Sequence, residues 1–545
     1  MSTSESFQLK ACRPCSKAKV RCDPGPADAC QRCHRLGKDC VKQPPKTHKV
    51  KNNTISDVGR LERKLDNVTS LLTASQRFTK GIDGNVNNTS PAREMAWVDA
   101  PNDWEMEGTL MAFHQRMAVF FPFLLRSPSL TVDEMRSQKP LLNLVIPAMI
   151  FKTLASQRAY STKAMEYWME HLLMNGEHNL DLFQGLLVFI GWTHLIMPVP
   201  RASQINNFLH ILEAQVNNLD FRGNSNSDTP GSVFSYLKDF GLDDRLRESR
   251  TLEELRAYLG CFYLVTIVSL CLDEKDPMRF TPYTEECCRL VEEAAECESD
   301  RYLIHLVRIA QMGEKIHRTL HSHEVEPPSG SASTAIIISW LQKDLQQLKS
   351  SLGCEFPQSA ILLIHYHTLE LLTYRTAMAK LNDHPVAQID MLCACVESTK
   401  SFFDIFFSLP SSLYFQMPYT CWVQLGHGLA ILSRLLVYSD SKGNWDQEYA
   451  RQRLNFDNTV DTFGMKIEET LLLALAENIE IPSIFAHIKK RIVLWKEGHA
   501  ARCAALDRWN QELLQTTTSG MEEVIPDVDM GDMLMMGSVW NFFSL

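Results

Sequence analysis

The amino-acid sequence predicts a mostly α-helical protein with a small cysteine-rich unit near its N-terminus. Six of the sixteen cysteines fall within residues 12–40, and the other ten are scattered from residue 261 onward. Residues 106–510 carry long apolar patterns of helical period and almost no alternating strand pattern. With 545 residues, 45% of them apolar, the chain can bury a large core. After the cysteine-rich unit we expect a short coiled coil, a large all-helical middle region and a disordered acidic tail.

Charge is distributed unevenly along the chain. Residues 1–51 contain 12 Lys/Arg and 4 Asp/Glu, although the whole chain has a formal net charge of −10. A basic segment on an acidic protein is typical of a part that binds a polyanion, since an acidic surface repels nucleic acid. The polar N-terminus MSTSESFQLK predicts no secretory leader, so we expect reduced cysteines. Clustered reduced cysteines indicate a metal site.

The clustered cysteines repeat one spacing pattern twice. The pattern is C-x2-C-x6-C-x7-C-x2-C-x6-C, and its members are Cys12, Cys15, Cys22, Cys30, Cys33 and Cys40. A C-x2-C pair presents two thiolates to one tetrahedral ion, and a short helix of six residues returns a third thiolate. Two zinc ions need eight ligand positions. If no other ligand takes part, six thiolates fill these positions only when two of them bridge both ions. The simpler interpretation is that metal only stabilises a unit too small for an apolar core.

The first half of this unit is the more basic. Its helix reads Ser16-Lys17-Ala18-Lys19-Val20-Arg21, and Arg13 precedes it. A short helix with cations at alternate positions can place one side chain in a DNA groove and others near phosphates. We therefore expect Arg13, Lys17, Lys19 and Arg21 to contact DNA. The alternative for any one of them is a solvated charge.

The cysteine spacing and the basic first helix resemble those of the fungal binuclear zinc cluster (Zn2Cys6) transcription factors, at all six cysteines. The resemblance implies two Zn²⁺ ions, with Cys12 and Cys30 as the bridging ligands. It also implies that the first helix enters the major groove of double-stranded DNA over a CGG triplet, where Lys19 reads the guanines. Ser16 and Ala18 stand where many members carry basic residues, so fewer cationic contacts are expected. The implied function is nuclear regulation of RNA polymerase II transcription.

Residues 1–51 are thus the expected zinc cluster domain with its basic linker, and a dimerisation helix is expected in residues 52–75. An apolar stripe at spacings of 3 and 4 predicts a short coiled coil, and its members are Val58, Leu61, Leu65, Val68 and Leu72. The resemblance implies a homodimer, since members of the family commonly place a short coiled coil directly after the linker. The alternative is an amphipathic helix that docks on the body. Residues 76–104 are rich in Asn, Gly, Asp and Ser and predict a tether.

Residues 105–510 are expected to form an all-helical regulatory region. Thr251 and Glu254 form a capping box before an apolar helix that reaches Leu272. Residues 180–200 are apolar but interrupted by polar side chains, so we expect a buried helix and no membrane span.

Several short sequence segments of this region, such as Phe120-Phe121-Pro122-Phe123, resemble the middle region of the leucine-pathway and weak-acid-response regulators. The resemblance implies that this region restrains activation and that a small-molecule effector can release it. The alternative is that each segment only contributes apolar side chains to the core between helices. Catalytic motifs are weak, because Gly426-His427-Gly428 lacks a third glycine and His365 and His367 point to different faces of a helix. We expect no enzyme activity.

Residues 511–545 are expected to form an activation tail. No basic residue follows Arg508, and acidic residues alternate with bulky apolar ones. Such segments contact coactivators through aromatic side chains, here Trp540, Phe542 and Phe543. Alternatively, the tail packs back onto the body. The sequence thus predicts an activator, with a repressor, a heterodimer partner or a metabolite-binding receptor as the alternatives.

Overall fold

The chain divides into two compact units, Met1–Met95 and Ala96–Leu545, which are described separately. The computed structural model describes residues 12–17, 22–23, 29–37, 39–40, 102–124, 131–197, 201–219, 250–273, 275–321, 332–353, 357–380, 385–438, 445–480 and 483–518. We call the described part of the first unit the cysteine unit and that of the second unit the helical body. The predicted coiled coil and the predicted activation residues lie outside the described residues.

Helices are the regular elements of the described residues, which confirms the mostly α-helical fold class. The cysteine unit contains α1 (Arg13–Lys17) and α2 (Gln31–Arg35). The α-helices of the helical body are α3 (Asp103–Arg116), α4 (Val132–Gln138), α5 (Pro140–Ile150), α6 (Leu154–Trp168), α7 (Leu180–Gly191), α8 (Thr193–Ile196), α9 (Ala202–Asn218), α10 (Leu252–Leu272), α11 (Pro282–Ala294), α12 (Ser299–His321), α13 (Ala332–Ser351), α14 (Ser359–Lys380), α15 (Pro385–Ser408), α16 (Tyr419–Val437), α17 (Gln447–Arg453), α18 (Phe456–Ala476) and α19 (Ser483–Thr518).

Two long apolar helices, α10 and α16, form the centre of the helical body. Both are long and apolar enough to cross a membrane, but their apolar windows are 100% and 94% buried inside the protein. Burial on every side is what a core helix of a folded domain shows, so these helices are weak evidence for a membrane. The segment 180–200 also behaves as expected, because α7 and α8 within it are almost entirely buried.

The start and the end of α10 follow from local chemistry. The Glu254 N–H donates to Thr251 Oγ1 at 3.2 Å, and the Thr251 N–H donates to Glu254 Oε2 at 2.8 Å. This reciprocal pair confirms the predicted capping box, which satisfies amide groups that have no partner within the helix. The helix ends at Leu272, as predicted, where Asp273 adopts a left-handed conformation with φ of 58°.

Close approach of distant segments holds α10 in place. A Cβ atom on Gly260 would lie only 2.7 Å from Phe123 Cβ, so this contact requires glycine. One turn further along, the Tyr263 hydroxyl bonds to His365 Nε2 at 2.9 Å and to Thr420 Oγ1 at 3.1 Å. These bonds satisfy polar groups at the centre of an apolar core, where an unpaired group is costly.

A buried ion pair joins α10 to α12. The Arg256 guanidinium donates to the Asp300 carboxylate through Nε at 2.8 Å and through Nη2 at 2.9 Å. Both side chains are almost fully buried, and the remaining Nη1 group reaches Glu296 at 2.8 Å. A bidentate ion pair of this kind offsets the free-energy cost of removing the carboxylate from water.

Two element boundaries differ from the sequence expectation. Helix α3 begins at Asp103, inside the predicted tether, where Asn102 caps it in a capping box with Glu105. Helix α19 runs through residues 511–518, which the sequence assigned to the tail. Residues 511–515 are Gln, Glu, Leu, Leu and Gln, all good helix formers, so the helix continues past the point where basic residues stop.

Candidate metal centre

The two halves of the cysteine unit fold in the same way. Helices α1 and α2 each have five residues, each follows the first cysteine of its half, and each contains the second. Cys30 lies 18 residues after Cys12, the same interval that separates the starts of the two helices. The repeated spacing in the sequence is therefore a repeat of structure.

Backbone hydrogen bonds bring the third cysteine of each half back to the first. The Cys12 N–H donates to Cys22 Sγ at 3.4 Å, and the Cys30 N–H donates to Cys40 Sγ at 3.2 Å. Each pair is 10 residues apart in the chain. Amide donors of this kind stabilise sulfur atoms that carry negative charge.

The cysteine sulfur atoms meet at the centre of the unit. Cys12 Sγ lies 3.7 Å from Cys30 Sγ and 3.6 Å from Cys33 Sγ, and Cys15 Sγ lies 3.6 Å from Cys30 Sγ. These four sulfur atoms all lie within 4.8 Å of one another, and Cys22 and Cys40 pack against them.

This geometry fits a metal centre. Around a tetrahedral zinc ion with Zn–S bonds of about 2.3 Å, sulfur ligands are separated by about 3.8 Å. The sulfur–sulfur distances in the cysteine unit, 3.6–3.7 Å, are close to that separation. A set of soft thiolate donors also matches the chemical preference of zinc. The four close thiols can therefore hold a metal ion.

The environment of the thiols changes their acidity in opposite directions. The Cys33 N–H donates to Cys30 Sγ at 3.4 Å and, together with the neighbouring thiols, lowers the pKa of Cys30 to about 6. Burial raises the pKa of Cys33 above its ordinary value. A lowered thiol pKa favours the thiolate, which is the form that binds metal.

The predicted DNA-contacting residues are described only in part. Arg13 begins α1 and Lys17 ends it, with an exposed side chain at Lys17, whereas Lys19 and Arg21 lie outside the described residues. In the second half, the position 18 residues after Lys19 is Gly37, which has a φ of 58°. The similar halves therefore differ in charge.

Sequence reasoning grouped the six cysteines but missed the backbone donors of Cys12, Cys30 and Cys33. The repeated cysteine spacing could have predicted the equivalent hydrogen bonds of the Cys12 and Cys30 amides, because equal spacing in both halves implies the same backbone conformation. The structure brings the six cysteines together. By contrast, the two histidines of the helical body that the sequence offered as weak candidates have different partners. His365 bonds to the Tyr263 hydroxyl, whereas His367 bonds to the carboxylate of Glu370 at 2.8 Å.

Comparison with known proteins adds the class of protein. No family model matches the chain. The chain is 27% identical to Transcription factor opdL of Penicillium oxalicum (strain 114-2 / CGMCC 5302), over 96% of this chain and 94% of the relative. It is 26% identical to Transcription factor himD of Aspergillus japonicus, over 79% of this chain and 73% of the relative. A shorter match, 30% identical over 24% of this chain and 13% of the relative, is to Transcriptional regulator WAR1 of Candida albicans (strain SC5314 / ATCC MYA-2876).

These relatives and the four-thiol centre support a regulator of transcription that binds DNA and metal. The relatives bear the names of regulators and not of enzymes. Two of these relatives are similar to this chain over most of its length, so the likeness extends into the helical body.

Proposed function

We propose that the protein is a sequence-specific DNA-binding regulator of RNA polymerase II transcription that reads CGG triplets through a binuclear zinc cluster of the Zn2Cys6 type. The observation that carries the proposal is the arrangement of the cysteine sulfur atoms. Cys12 and Cys30, the first cysteines of the two halves, contact each other, and each also contacts a thiol of the opposite half. Two ligands in this position are suited to bridging a pair of Zn²⁺ ions.

The sulfur contacts agree with one assignment of ligands. If Cys12 and Cys30 bridge, one ion takes Cys15 and Cys22 in addition, and the other takes Cys33 and Cys40. The close contacts between Cys12 and Cys33 and between Cys15 and Cys30 then join residues that share an ion. Six thiolates fill eight ligand positions in this way.

The charge difference between the halves favours α1 as the element that enters the DNA groove. Lys17 is exposed at its end, and Lys19 and Arg21 follow in the sequence. In this proposal Lys19 reads the guanines, and Arg13, Lys17 and Arg21 contact phosphates. Gly37, the counterpart of Lys19 in the second half, has no side chain, so in this proposal the first half alone reads bases.

The remaining parts of the chain complete the proposed regulator. The stripe within residues 52–75 pairs two chains, so that a homodimer binds two triplets. The helical body restrains activation, and the tail with Trp540, Phe542 and Phe543 recruits coactivators in the nucleus. The protein catalyses no reaction in this scheme. A repressor or a heterodimer partner with the same DNA-reading unit is the alternative.

The test is selection of binding sites from random duplex DNA by the full-length protein in the presence of zinc. We expect enrichment of paired CGG triplets and its loss in the Lys19→Ala variant. The matched control is Arg35→Ala, which removes an exposed cation from α2 and is expected to leave the selected sequence unchanged. A lone triplet would argue against the homodimer, and no enrichment would refute sequence-specific binding.

The metal count has a test of its own. Native mass spectrometry of the full-length protein is expected to find two zinc ions per chain. Replacing a bridging ligand with Cys30→Ser is expected to remove both, whereas Cys297→Ser, a cysteine of the helical body, is expected to keep both. A single ion in the unmodified protein would rule out the binuclear assignment.

A further inference from the structure

The helical body contains a cavity of about 140 Å³. Its wall is formed by α3, α5, α6, α18 and the segments next to them, and it is mostly apolar, with Met117, Met149, Ile150, Phe415, Leu473 and Ile479 among its lining residues. An engineered apolar cavity of roughly 150 Å³ takes up benzene. The cavity in the helical body therefore has room for a ligand of about that size.

One buried side chain in the wall lacks a partner for its acceptor. Gln157 is only 6% exposed, and its Nε2 donates to the carbonyl oxygen of Phe151 at 2.6 Å. Its amide oxygen, Oε1, accepts no hydrogen bond from any residue that the structure describes. Gln157 lines the cavity, so this acceptor is available to a molecule within it. A ligand that donates a hydrogen bond would supply a partner here.

The charge at the edge of the cavity is balanced. Arg116 at the end of α3 and Glu477 after α18 both line the cavity, and their charged groups lie 3.6 Å apart with more than half of each side chain exposed. Because the two charges compensate each other, the edge offers no net attraction to an ion. The wall and the edge together favour an uncharged ligand.

We propose that this cavity binds an uncharged, largely apolar small molecule that donates a hydrogen bond from a hydroxyl or N–H group to Gln157 Oε1. The ligand would contact segments that are far apart in the sequence, since Met117, Gln157 and Leu473 all face it. Binding therefore stabilises the folded helical body. The site is independent of DNA reading and would stand if the cysteine unit had another role.

Two isomeric probes test the proposal by calorimetric titration of the full-length protein. Benzyl alcohol and anisole have the same atoms and nearly the same shape, but only the alcohol has a hydrogen-bond donor. We expect benzyl alcohol to bind about fivefold more tightly, a factor that corresponds to one ordinary hydrogen bond. Equal affinities would refute the role of Gln157, and no binding of either probe would refute the site.

Variants connect the difference to the cavity. Gln157→Leu is expected to bind both probes equally, whereas Gln388→Leu, at a buried glutamine that donates to the Tyr438 hydroxyl at 2.8 Å, is expected to keep the preference. Should Gln157→Leu fail to fold, Ala474→Leu decides the question, because it fills the cavity from a buried lining position. We expect it to lose at least tenfold in affinity for both probes. Unchanged affinity in Ala474→Leu would place the probes elsewhere and overturn the proposal.

Discussion

The cysteine unit and the helical body are held together by different forces. In the described part of the cysteine unit, the buried residues are cysteines, so little apolar surface other than sulfur is removed from water. In the helical body, a continuous apolar core surrounds α10, in which every residue from Leu255 to Leu272 is buried. A metal ion held by the thiols would therefore supply the stability that the first unit lacks, whereas the second is stabilised by its apolar core.

The same residue type shows this difference at the level of chemistry. In the cysteine unit, an amide donor and neighbouring thiols lower the pKa of Cys30 to about 6. In the body, burial raises the pKa of Cys287 and of Cys288 to about 12. The body thiols therefore stay protonated and act as small apolar side chains. Burial also raises the pKa of Cys33, so the cysteine unit is distinguished by the cluster of close sulfur atoms and by the lowered pKa of Cys30, and not by a low pKa at every thiol.

The largest expected effect is the response to a chelator. Removing metal is expected to unfold the cysteine unit, because structural zinc contributes about 10–16 kcal/mol to such units, and to leave the body folded. Hydrogen exchange measured by mass spectrometry would show loss of protection in residues 12–40 and unchanged protection in α10. Restoring zinc is the control. Equal protection of residues 12–40 with and without metal would contradict the division described above.

A smaller effect is expected from breaking the buried ion pair of the body. Arg256→Leu leaves the carboxylate of Asp300 buried without its main partner, which costs about 3–5 kcal/mol of the free energy of unfolding. Urea unfolding of the full-length protein would measure it. Arg289→Leu is the matched control, since Arg289 also binds two carboxylates but is exposed on α11, and we expect a change below about 1 kcal/mol. Equal losses in the two variants would argue against a special role for burial.

The body is expected to have an acid sensitivity of its own. Burial lowers the pKa of His194 to about 3, whereas an unfolded histidine has its ordinary value of about 6.5. The unfolded state therefore binds the proton more readily, and stability is lost as the pH falls from about 6.5 toward 3. For His194 the loss is about 2 kcal/mol at pH 5. His194→Leu is expected to reduce the loss between pH 7 and pH 5, because neither ring nitrogen of His194 forms a hydrogen bond with any residue that the structure describes.

The smallest expected effect concerns one helix end. Thr251→Ala removes the side chain that caps α10 and should cost about 1 kcal/mol, measured by urea unfolding. Thr251→Ser retains the hydroxyl and should cost less than half of that. A loss of several kcal/mol would mean that Thr251 supports more than the helix end.

Local patterns made the fold class and several elements predictable. The capping box at Thr251, the end of α10 at Leu272 and the burial of 180–200 each depend on residues within a few turns of one another. The cysteine grouping was predictable for the same reason, because two spacings repeat over a short segment.

Contacts between distant residues were not predictable. The pairing of Arg256 with Asp300, the bonds of Tyr263 and the free acceptor of Gln157 depend on how helices meet in space. The hydrophobic periodicity of a single sequence does not show which helices pack against each other. It also does not distinguish an arginine that will be buried from one that will be exposed. The boundary predicted at residue 511 differs from the observed end of α19 at residue 518, because helix propensity and charge composition point to different boundaries there.

The hydrogen bond between the hydroxyl groups of Tyr263 and Thr420 has a consequence for synthesis on the ribosome. The two residues are 157 positions apart, so on the order of ten seconds separate their emergence at about 5–20 residues per second. During that interval α10, which is apolar on every side, has no completed core to receive it. We therefore expect the nascent body to be a substrate for chaperones that hold unfolded chains, whereas all six clustered cysteines are available once Cys40 has emerged.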